Sequence, residues 1–202
     1  MSREVKKKNP IIIFSGPSGV GKGTIERLLF NFDELNLSLS CSATTRKKRE
    51  GELDGVHYHF IDVDEFRDKI KKFKFLEFSY HLGNYYGTLY SELDRIHKKH
   101  KVPMLEIETG GAKQVIAKLM DSKNREKYNL ITIFVLPPSI EELKRRIINR
   151  GSEDDETLKL RLLKAEKELA ECDIFKYQII NDEPNRAAEE IRSILHKELQ
   201  ID

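Results

Sequence analysis

Short apolar runs alternate along the chain with longer segments in which apolar residues recur every three or four positions. The runs that predict strands lie at residues 11–14, 35–40, 102–107, 130–136 and 176–180. The fourth run, LITIFVL, is apolar at almost every position, which is typical of a strand buried on both faces. Segments with helical periodicity separate the runs. The pattern predicts an α/β fold, with a parallel sheet of about five strands flanked by helices.

This regular alternation is interrupted between residues 42 and 90. Val56–Ile61 and Phe73–Phe78 are rich in residues that favour strands, and Gly83–Gly87 has the composition of a turn. Strands this close together, with one short helical segment among them, do not fit a repeating strand–helix unit. We therefore expect a small mixed β insertion in the α/β core.

Polar residues at characteristic spacings mark the starts of several helices. Asp62 and Ser139 are each followed three residues later by glutamate, which is a capping-box pattern. Two helical segments flank the pair Arg150–Gly151, and the second extends from Glu153 to Glu171. A last helix is predicted from Pro184 onward, with apolar residues on its inward face at Ile191, Ile194, Leu195 and Leu199.

The composition is that of a highly charged globular protein with one domain. Of 202 residues, 39% are hydrophobic and 35% are charged, and the formal net charge is only +2. This balance gives no electrostatic reason to expect nucleic acid or a membrane as a partner. Cys41 and Cys172 lie far apart and lack metal-ligand spacing. Residues 1–9 lack the apolar core of a secretory signal, so we expect a cytoplasmic protein.

The segment Phe14–Thr24, FSGPSGVGKGT, lies between the first predicted strand and the first helix. Its four glycines allow the backbone to curl with N–H groups inward, and the helix N-terminus adds the positive end of its dipole. Lys22 adds a mobile charge, so the segment predicts a phosphate-binding loop. The alternative is a glycine-rich turn that binds nothing. Gly23 departs from the pattern, because a serine or threonine usually follows the lysine and reaches Mg²⁺; here the hydroxyl comes one residue later, at Thr24.

Two features of the insertion indicate what accepts the phosphoryl group. Arginine and tyrosine side chains suited to hold a second phosphate lie at Arg46, Arg49, Tyr58 and Tyr86. The alternative for the arginines is a solvated basic loop.

Glu77 is the second of these features. Period-two alternation places it on one strand face with Phe73 and Phe75, where a carboxylate needs a partner. The alternatives are an ion pair with Lys72 or Lys74, or an exposed strand end.

Together these stretches resemble the guanylate kinase family over essentially the whole chain. The resemblance lies in the order and spacing of GPSGVGKGT (16–24), SATTRKKREGELDGVHYHF (42–60), FLEFSYHLGNYYGT (75–88), PPSIEELKRRIINRG (137–151) and QIINDE (178–183). It implies a nucleoside monophosphate kinase fold and the reaction ATP + GMP ⇌ ADP + GDP, with Mg²⁺ as cofactor. It also implies a single domain over 1–202, with a core at 10–41, 91–144 and 166–202, a GMP-binding insertion at 42–90 and a helical lid at 145–165.

The resemblance assigns roles to individual residues. Those for the guanine base are Ser42, Glu77 and Thr88. Those for the GMP phosphate are Arg46, Arg49, Tyr58 and Tyr86, with Glu52 nearby and Glu106 as a further GMP-binding residue. Those for ATP are Gly16, Ser18, Gly19, Val20, Gly21, Lys22, Gly23 and Thr24, with Asn181 near the adenine. Those expected around the transferred phosphoryl group are Lys22, Arg46, Arg146, Arg150 and Arg161.

Elementary chemistry agrees with these assignments. Glu77 can accept hydrogen bonds from N1–H and N2–H₂ of guanine together, and adenine offers no such pair of donors. Phosphoryl transfer needs positioning and charge neutralisation, which an arginine-rich lid that folds over the site would supply. The alternative for the lid arginines is ion pairing along the helices, with Glu141, Glu142 or the acidic run 153–156.

The segment 104–111 departs from the family pattern. The family usually has aspartate where Glu106 and Glu108 stand, and glutamine where Gly110 stands. We therefore expect no direct metal ligand from the protein: Mg²⁺ would be held by the ATP phosphates and water, with Glu106 acting through water or orienting GMP. The alternative is that Glu108 only caps the following helix.

Two other functions are alternatives to GMP phosphorylation. A guanylate-kinase-like domain can serve as a protein-binding module without catalysis, although the intact loop and lid arginines argue against it. The chain could also phosphorylate another nucleoside monophosphate, although Ser42, Glu77 and Thr88 argue for guanine. We expect a monomer that acts on ATP and GMP, with dGMP as a further candidate acceptor.

Overall fold

The structure, a computed structural model, describes residues 8–81, 83–121, 124–150 and 155–201, except the side chains of Arg150 and Asp155. The strands are β1 Asn9–Ser15, β2 Leu37–Leu39, β3 Ala43–Thr44, β4 His59–Phe60, β5 Phe75–His81, β6 Asn84–Leu89, β7 Val102–Glu106, β8 Tyr128–Leu136 and β9 Tyr177–Ile180. The α-helices are α1 Lys22–Leu29, α2 Val63–Lys71, α3 Tyr90–Lys98, α4 Thr109–Leu119, α5 Asn124–Lys127, α6 Ile140–Arg150, α7 Asp155–Ala170 and α8 Pro184–Leu199.

Five parallel strands form the main sheet in the order β2-β7-β1-β8-β9, which confirms the predicted fold class. Ile133, Phe134 and Val135 of β8 are fully buried, as the LITIFVL pattern predicted. Candidate residues lie at the carboxyl ends of three strands. The glycine loop follows β1, Glu106 is the last residue of β7, and Asn181 follows β9. Ligands bind at this edge in sheets of this type.

The chain forms two compact units, and the first comprises the described residues of 1–11, 38–105 and 110–130. It contains a second sheet in the order β4-β3-β6-β5, with β3 parallel to β4 and antiparallel to β6. Ala43, Phe66 and Phe75 form its buried centre, and the rings of Phe66 and Phe75 stack at 4.2 Å. The expected small mixed β insertion is therefore confirmed.

The second unit comprises the described residues of 12–37, 106–109 and 131–202. In it α1 packs against α8, whose apolar face is buried at Ile191, Leu195 and Leu199. The predicted cap of α6 is present, because Oγ of Ser139 accepts a hydrogen bond from the backbone N–H of Glu142 at 3.1 Å.

Two predictions within the insertion were wrong in detail. Phe73 does not begin a strand but forms part of the C-terminal cap of α2. Its φ is 52°, its N–H donates to the carbonyl oxygen of Ile70, and that of Lys74 donates to the carbonyl oxygen of Lys69. This is a Schellman motif with phenylalanine where glycine is usual, and it leaves the Phe73 side chain 87% exposed. A register shift between Phe75 and Glu77 also interrupts the alternation within β5, so the prediction that Phe73, Phe75 and Glu77 share one strand face was wrong.

The predicted turn at residues 83–87 was also wrong over most of its length. Asn84–Leu89 is strand β6, which pairs with β5 from His81↔Asn84 onward. Tyr85 and Tyr86 favour a strand, and cross-strand pairing outweighs the turn propensity of the neighbouring glycine and asparagine.

Among the helices that the structure describes, none has the length and apolar character needed to cross a membrane.

Candidate functional site

Residues 16–21 connect β1 to α1 and form the predicted phosphate loop. Gly21 has a φ of 97°, in the left-handed region that side chains rarely adopt. A Cβ atom there would lie 2.5 Å from Nδ2 of Asn181. Backbone strain and lack of space therefore both require glycine directly before Lys22.

Lys22 is the first residue of α1, and its side chain is only 17% exposed. Its Nζ donates to the carbonyl oxygen of Gly16 at 2.6 Å and lies 3.9 Å from Oε1 of Glu106. Burial lowers the pKa of Lys22, and the nearby carboxyl groups of Glu106, Glu168 and Glu108 oppose that shift. The ammonium group is thus held inside the loop by a backbone oxygen and by surrounding acids.

A cavity of about 270 Å³, which we call the loop cavity, lies against this loop. It is lined by Gly16, Pro17, Ser18, Gly19, Gly21, Lys22, Gly23, Glu106, Glu108, Lys164 and Glu168. The structure therefore brings most of the residues predicted to bind ATP together in one place. It adds Glu108, Lys164 and Glu168, which no sequence motif assigned to ATP.

A second cavity of about 370 Å³, the asparagine cavity, shares Gly19 and Gly21 with the first. Its other lining residues are Thr24, Arg145, Arg146, Asn149, Asn181 and Pro184. Nδ2 of Asn181 donates to the carbonyl oxygen of Val20 at 2.7 Å. Its Oδ1 is buried and accepts no hydrogen bond from the residues that the structure describes. Asn181 therefore fixes the glycine loop at Val20 and forms part of the cavity wall.

The arginines predicted around the transferred phosphoryl group differ in their settings. Arg146 donates to the carbonyl oxygen of Val20 at 3.3 Å and to Glu142 at 2.7 Å. Hydrogen bonds from Arg145 and Arg146 hold the pKa of Glu142 at about 2. Ion pairing with Glu142, the alternative for these arginines, is therefore present alongside a contact to the loop.

The structure gives less information about the other two predicted lid arginines, Arg161 and Arg150. Arg161 lies on α7 and does not line either of the two cavities. The side chain of Arg150 lies outside the described residues.

In the first unit, Arg46 is held by Glu52 through two hydrogen bonds of 3.0 and 2.6 Å. The guanidinium group also lies 5.5 Å from the centre of the Tyr58 ring, and Tyr58 packs edge-on against Tyr86 at 6.1 Å. Hydrogen bonds from Arg46, then from the backbone of Arg49, lower the pKa of Glu52 to about 2. All five residues expected at the GMP phosphate therefore lie in one group.

The three residues expected at the guanine base also come together. Glu77 on β5 is 5% exposed, and its Oε1 accepts a hydrogen bond of 2.7 Å from Oγ1 of Thr88 on β6. Oγ of Ser42 lies 3.4 Å from the same threonine oxygen. A Cβ at Gly111 would lie 2.8 Å from Oε2 of Glu77, so glycine is needed where α4 passes the carboxylate.

Helix α4 also fixes the strand that carries Glu77. Gln114 exchanges two hydrogen bonds with the backbone of Phe78, at 3.2 and 2.8 Å. Lys118 donates to the carbonyl oxygens of Phe75 and Leu76. These residues were missed by the sequence argument, because helical periodicity does not indicate which strand a helix contacts.

The strand-end acids have partners within the second unit. Glu106 is 40% exposed and lies beside Lys22 and Glu26. Burial, followed by the neighbouring Glu106 carboxyl group, raises the pKa of Glu26 to about 7. Glu108 forms an ion pair with Lys164 on α7. The alternative that Glu108 only caps α4 does not account for this ion pair.

Comparison with known proteins shows which family the chain belongs to. The guanylate kinase family model matches residues 7–198. A guanylate kinase of Mycoplasmopsis synoviae is 62% identical over 98% of this chain and 99% of its own length. One of Mycoplasmopsis pulmonis is 51% identical over 96% of both chains.

Among solved structures, a guanylate kinase from Anaplasma phagocytophilum superimposes with a TM-score of 0.71. It is 30% identical to this chain, and the alignment covers 98% of this chain and 89% of that one. Sequence and fold therefore place the chain in the guanylate kinase family.

Proposed function

We propose that this protein transfers the γ-phosphoryl group of ATP to GMP, with ADP and GDP as products. The observation that carries the choice of acceptor is the buried carboxylate of Glu77, held between Thr88 and Gly111. One oxygen faces a hydroxyl donor, and the carboxylate can still accept from N1–H and N2–H₂ of guanine. A buried carboxylate of this kind favours a ligand that presents two adjacent donors.

The phosphate of GMP would bind to the group around Arg46. Glu52 already orients that guanidinium, so little side-chain entropy remains to be lost when the phosphate binds. Tyr58 and Tyr86 would supply hydroxyl donors, and the exposed Arg49 would add a second charge.

ATP would bind along the glycine loop. Its β- and γ-phosphates would replace the backbone oxygens of Gly16 and Pro17 as partners of Lys22. The adenine would lie near Asn181, which lines the asparagine cavity. Arg146 lines the asparagine cavity, and it would help to neutralise phosphate charge together with Arg150 and Arg161. Transfer then needs in-line positioning and charge neutralisation and no covalent intermediate on the protein.

We propose that Mg²⁺ enters with ATP and is held through phosphate oxygens and water. Gly23 offers no hydroxyl, and Thr24 lines the asparagine cavity and is not among the lining residues of the loop cavity. Among described residues, no three His, Cys, Asp or Glu side chains converge to hold an ion. Glu106 lines the loop cavity, and its partly exposed carboxylate suits contact through water, since Mg²⁺ usually keeps several waters.

An assay of ADP release across GMP, dGMP, AMP, CMP and UMP tests the proposed reaction. We expect rapid turnover with GMP, slower or comparable turnover with dGMP, and very little with the other three. Turnover with AMP at the GMP rate would contradict the assignment of Glu77. No turnover with any acceptor would favour a protein-binding module.

We expect the active form to be a cytoplasmic monomer.

The requirement for Mg²⁺ should respond to Gly23. A Cβ at this position meets nothing within 4 Å, so Gly23→Ser should fold normally and supply the missing hydroxyl. We expect half-maximal activity at a lower Mg²⁺ concentration in this variant, with Gly23→Ala as the matched control that adds only the methyl group. Glu106→Gln should raise the Mg²⁺ requirement and lower kcat, and Glu106→Asp should be milder.

A titration of activity with Mg²⁺ measures these effects. Identical curves for Gly23→Ser and Gly23→Ala would show that the missing hydroxyl does not determine how the metal is held. A direct bond between Glu106 and the ion in a nucleotide complex would also contradict the arrangement.

A further inference from the structure

Lys164 is a second lysine of the loop cavity, and neither the sequence motifs nor the family resemblance gives it a role. It lines the cavity with Lys22, and Glu168 lies four residues later on the same helix, α7. Residues i and i+4 share a helix face, and so does Arg161 at i−3. Ala165, on that same face, is buried. This face of α7 is therefore directed at the phosphate loop within the second unit.

The partner of Lys164 in this structure is a carboxylate that a phosphate could replace. Nζ of Lys164 forms an ion pair with Glu108, and the two side chains are 37% and 57% exposed. Ion pairs this exposed contribute little, because water and salt screen them. A polyphosphate in the same cavity brings more negative charge than one carboxylate, and its oxygens accept strong hydrogen bonds from an ammonium group.

Glu168 is the buried acid on this face of α7. It is 6% exposed, and burial raises its pKa to about 7, with Lys164 and Lys22 opposing the shift and Glu108 and Glu171 adding to it. A large share of Glu168 is therefore protonated near neutral pH. A protonated carboxyl group neither repels phosphate nor competes with it for the lysine.

We propose that Lys164 is a second phosphate-binding lysine, which exchanges Glu108 for the terminal phosphate of ATP in the loop cavity. The proposal rests on the ATP site proposed above and adds to it a cation from α7. It assigns Glu108 the role of a competitor that holds the lysine in place before the phosphate arrives.

Calorimetric binding of a non-hydrolysable ATP analogue and of ADP to the full chain tests the proposal without turnover. In Lys164→Gln we expect the Kd of the ATP analogue to rise about 10- to 100-fold, the range of one charged hydrogen bond. The Kd of ADP should rise less, because ADP lacks the terminal phosphate. Lys164→Arg should retain most of the affinity. Lys167→Gln, on an exposed position of the same helix, should bind both nucleotides like the wild type.

Glu108→Gln separates this role from a structural one. If Glu108 competes with phosphate, its removal should lower the Kd of the ATP analogue a few-fold, opposite in sign to Lys164→Gln. If the pair only ties α7 to the end of β7, both variants should weaken binding, and that outcome would overturn the proposal. Unchanged affinity in a folded Lys164→Gln variant would overturn it as well. Failure of the proposed reaction would appear instead as absent GMP phosphorylation in a wild-type protein that still binds the analogue.

Discussion

Lys22→Met should reduce kcat by about 10³-fold or more while leaving the fold intact. An arginine acting on the transferred phosphoryl group is worth about 10³–10⁵ in kcat in related phosphoryl transfers, and we expect a loss of similar size when the loop lysine is removed. Methionine keeps most of the aliphatic volume of a side chain that is only 17% exposed, so packing around α1 should be preserved. The KM for GMP should change little, because the residues expected at GMP include no part of the glycine loop.

The measurement is steady-state turnover with GMP and ATP, accompanied by thermal unfolding to establish folding. Arg27→Met is the matched control, since it removes an exposed positive charge from the same helix, four residues beyond Gly23. It should retain wild-type kcat. A folded Lys22→Met enzyme with near wild-type turnover would exclude the loop as the donor site.

Glu77→Gln should relax the preference for GMP over AMP by several orders of magnitude. A site built to hydrogen-bond a group rejects an analogue that lacks it by about 10⁴–10⁵. Glutamine keeps the shape beside Thr88 and Gly111, but it places an amide donor where a carboxylate oxygen accepted. Most of the change in this preference should come from a lower kcat/KM for GMP, and a smaller part from a higher kcat/KM for AMP.

The ratio of kcat/KM for the two acceptors is the deciding quantity. Glu92→Gln is the control, because Glu92 is another buried acid of the first unit, 3% exposed, which accepts from the backbone of Cys41 and from Arg95. It should lower stability without changing the ratio. If Glu77→Gln also leaves the ratio unchanged, Glu77 is a structural residue of the mixed sheet.

Local sequence was sufficient for the elements whose signals are local. The glycine spacing of 16–23 and the apolar run of β8 are such signals, and the structure has a loop between β1 and α1 and a buried strand at these places. The caps at Asp62 and Ser139 were also confirmed, since each oxygen accepts a hydrogen bond from a backbone N–H three residues later. The secondary-structure predictions failed where another interaction outweighed the intrinsic preference of a residue. At Phe73 the C-terminal motif of α2 overrode the β-propensity of the residue, and at Tyr85 and Tyr86 strand pairing overrode the turn signal.

The sequence by itself determined the fold class, the phosphate loop and the family, because these depend on periodicity and on residues close together in the chain. Only the tertiary structure decided which distant charges meet. Glu108 and Lys164 are 56 residues apart and form an ion pair in the loop cavity, and Gly111 on α4 limits the space beside Glu77 on β5. Crossover connections of an α/β fold bring strand ends and helix faces together at one edge. Hydrophobic periodicity fixes which face of an element is inward, but not which element that face will meet.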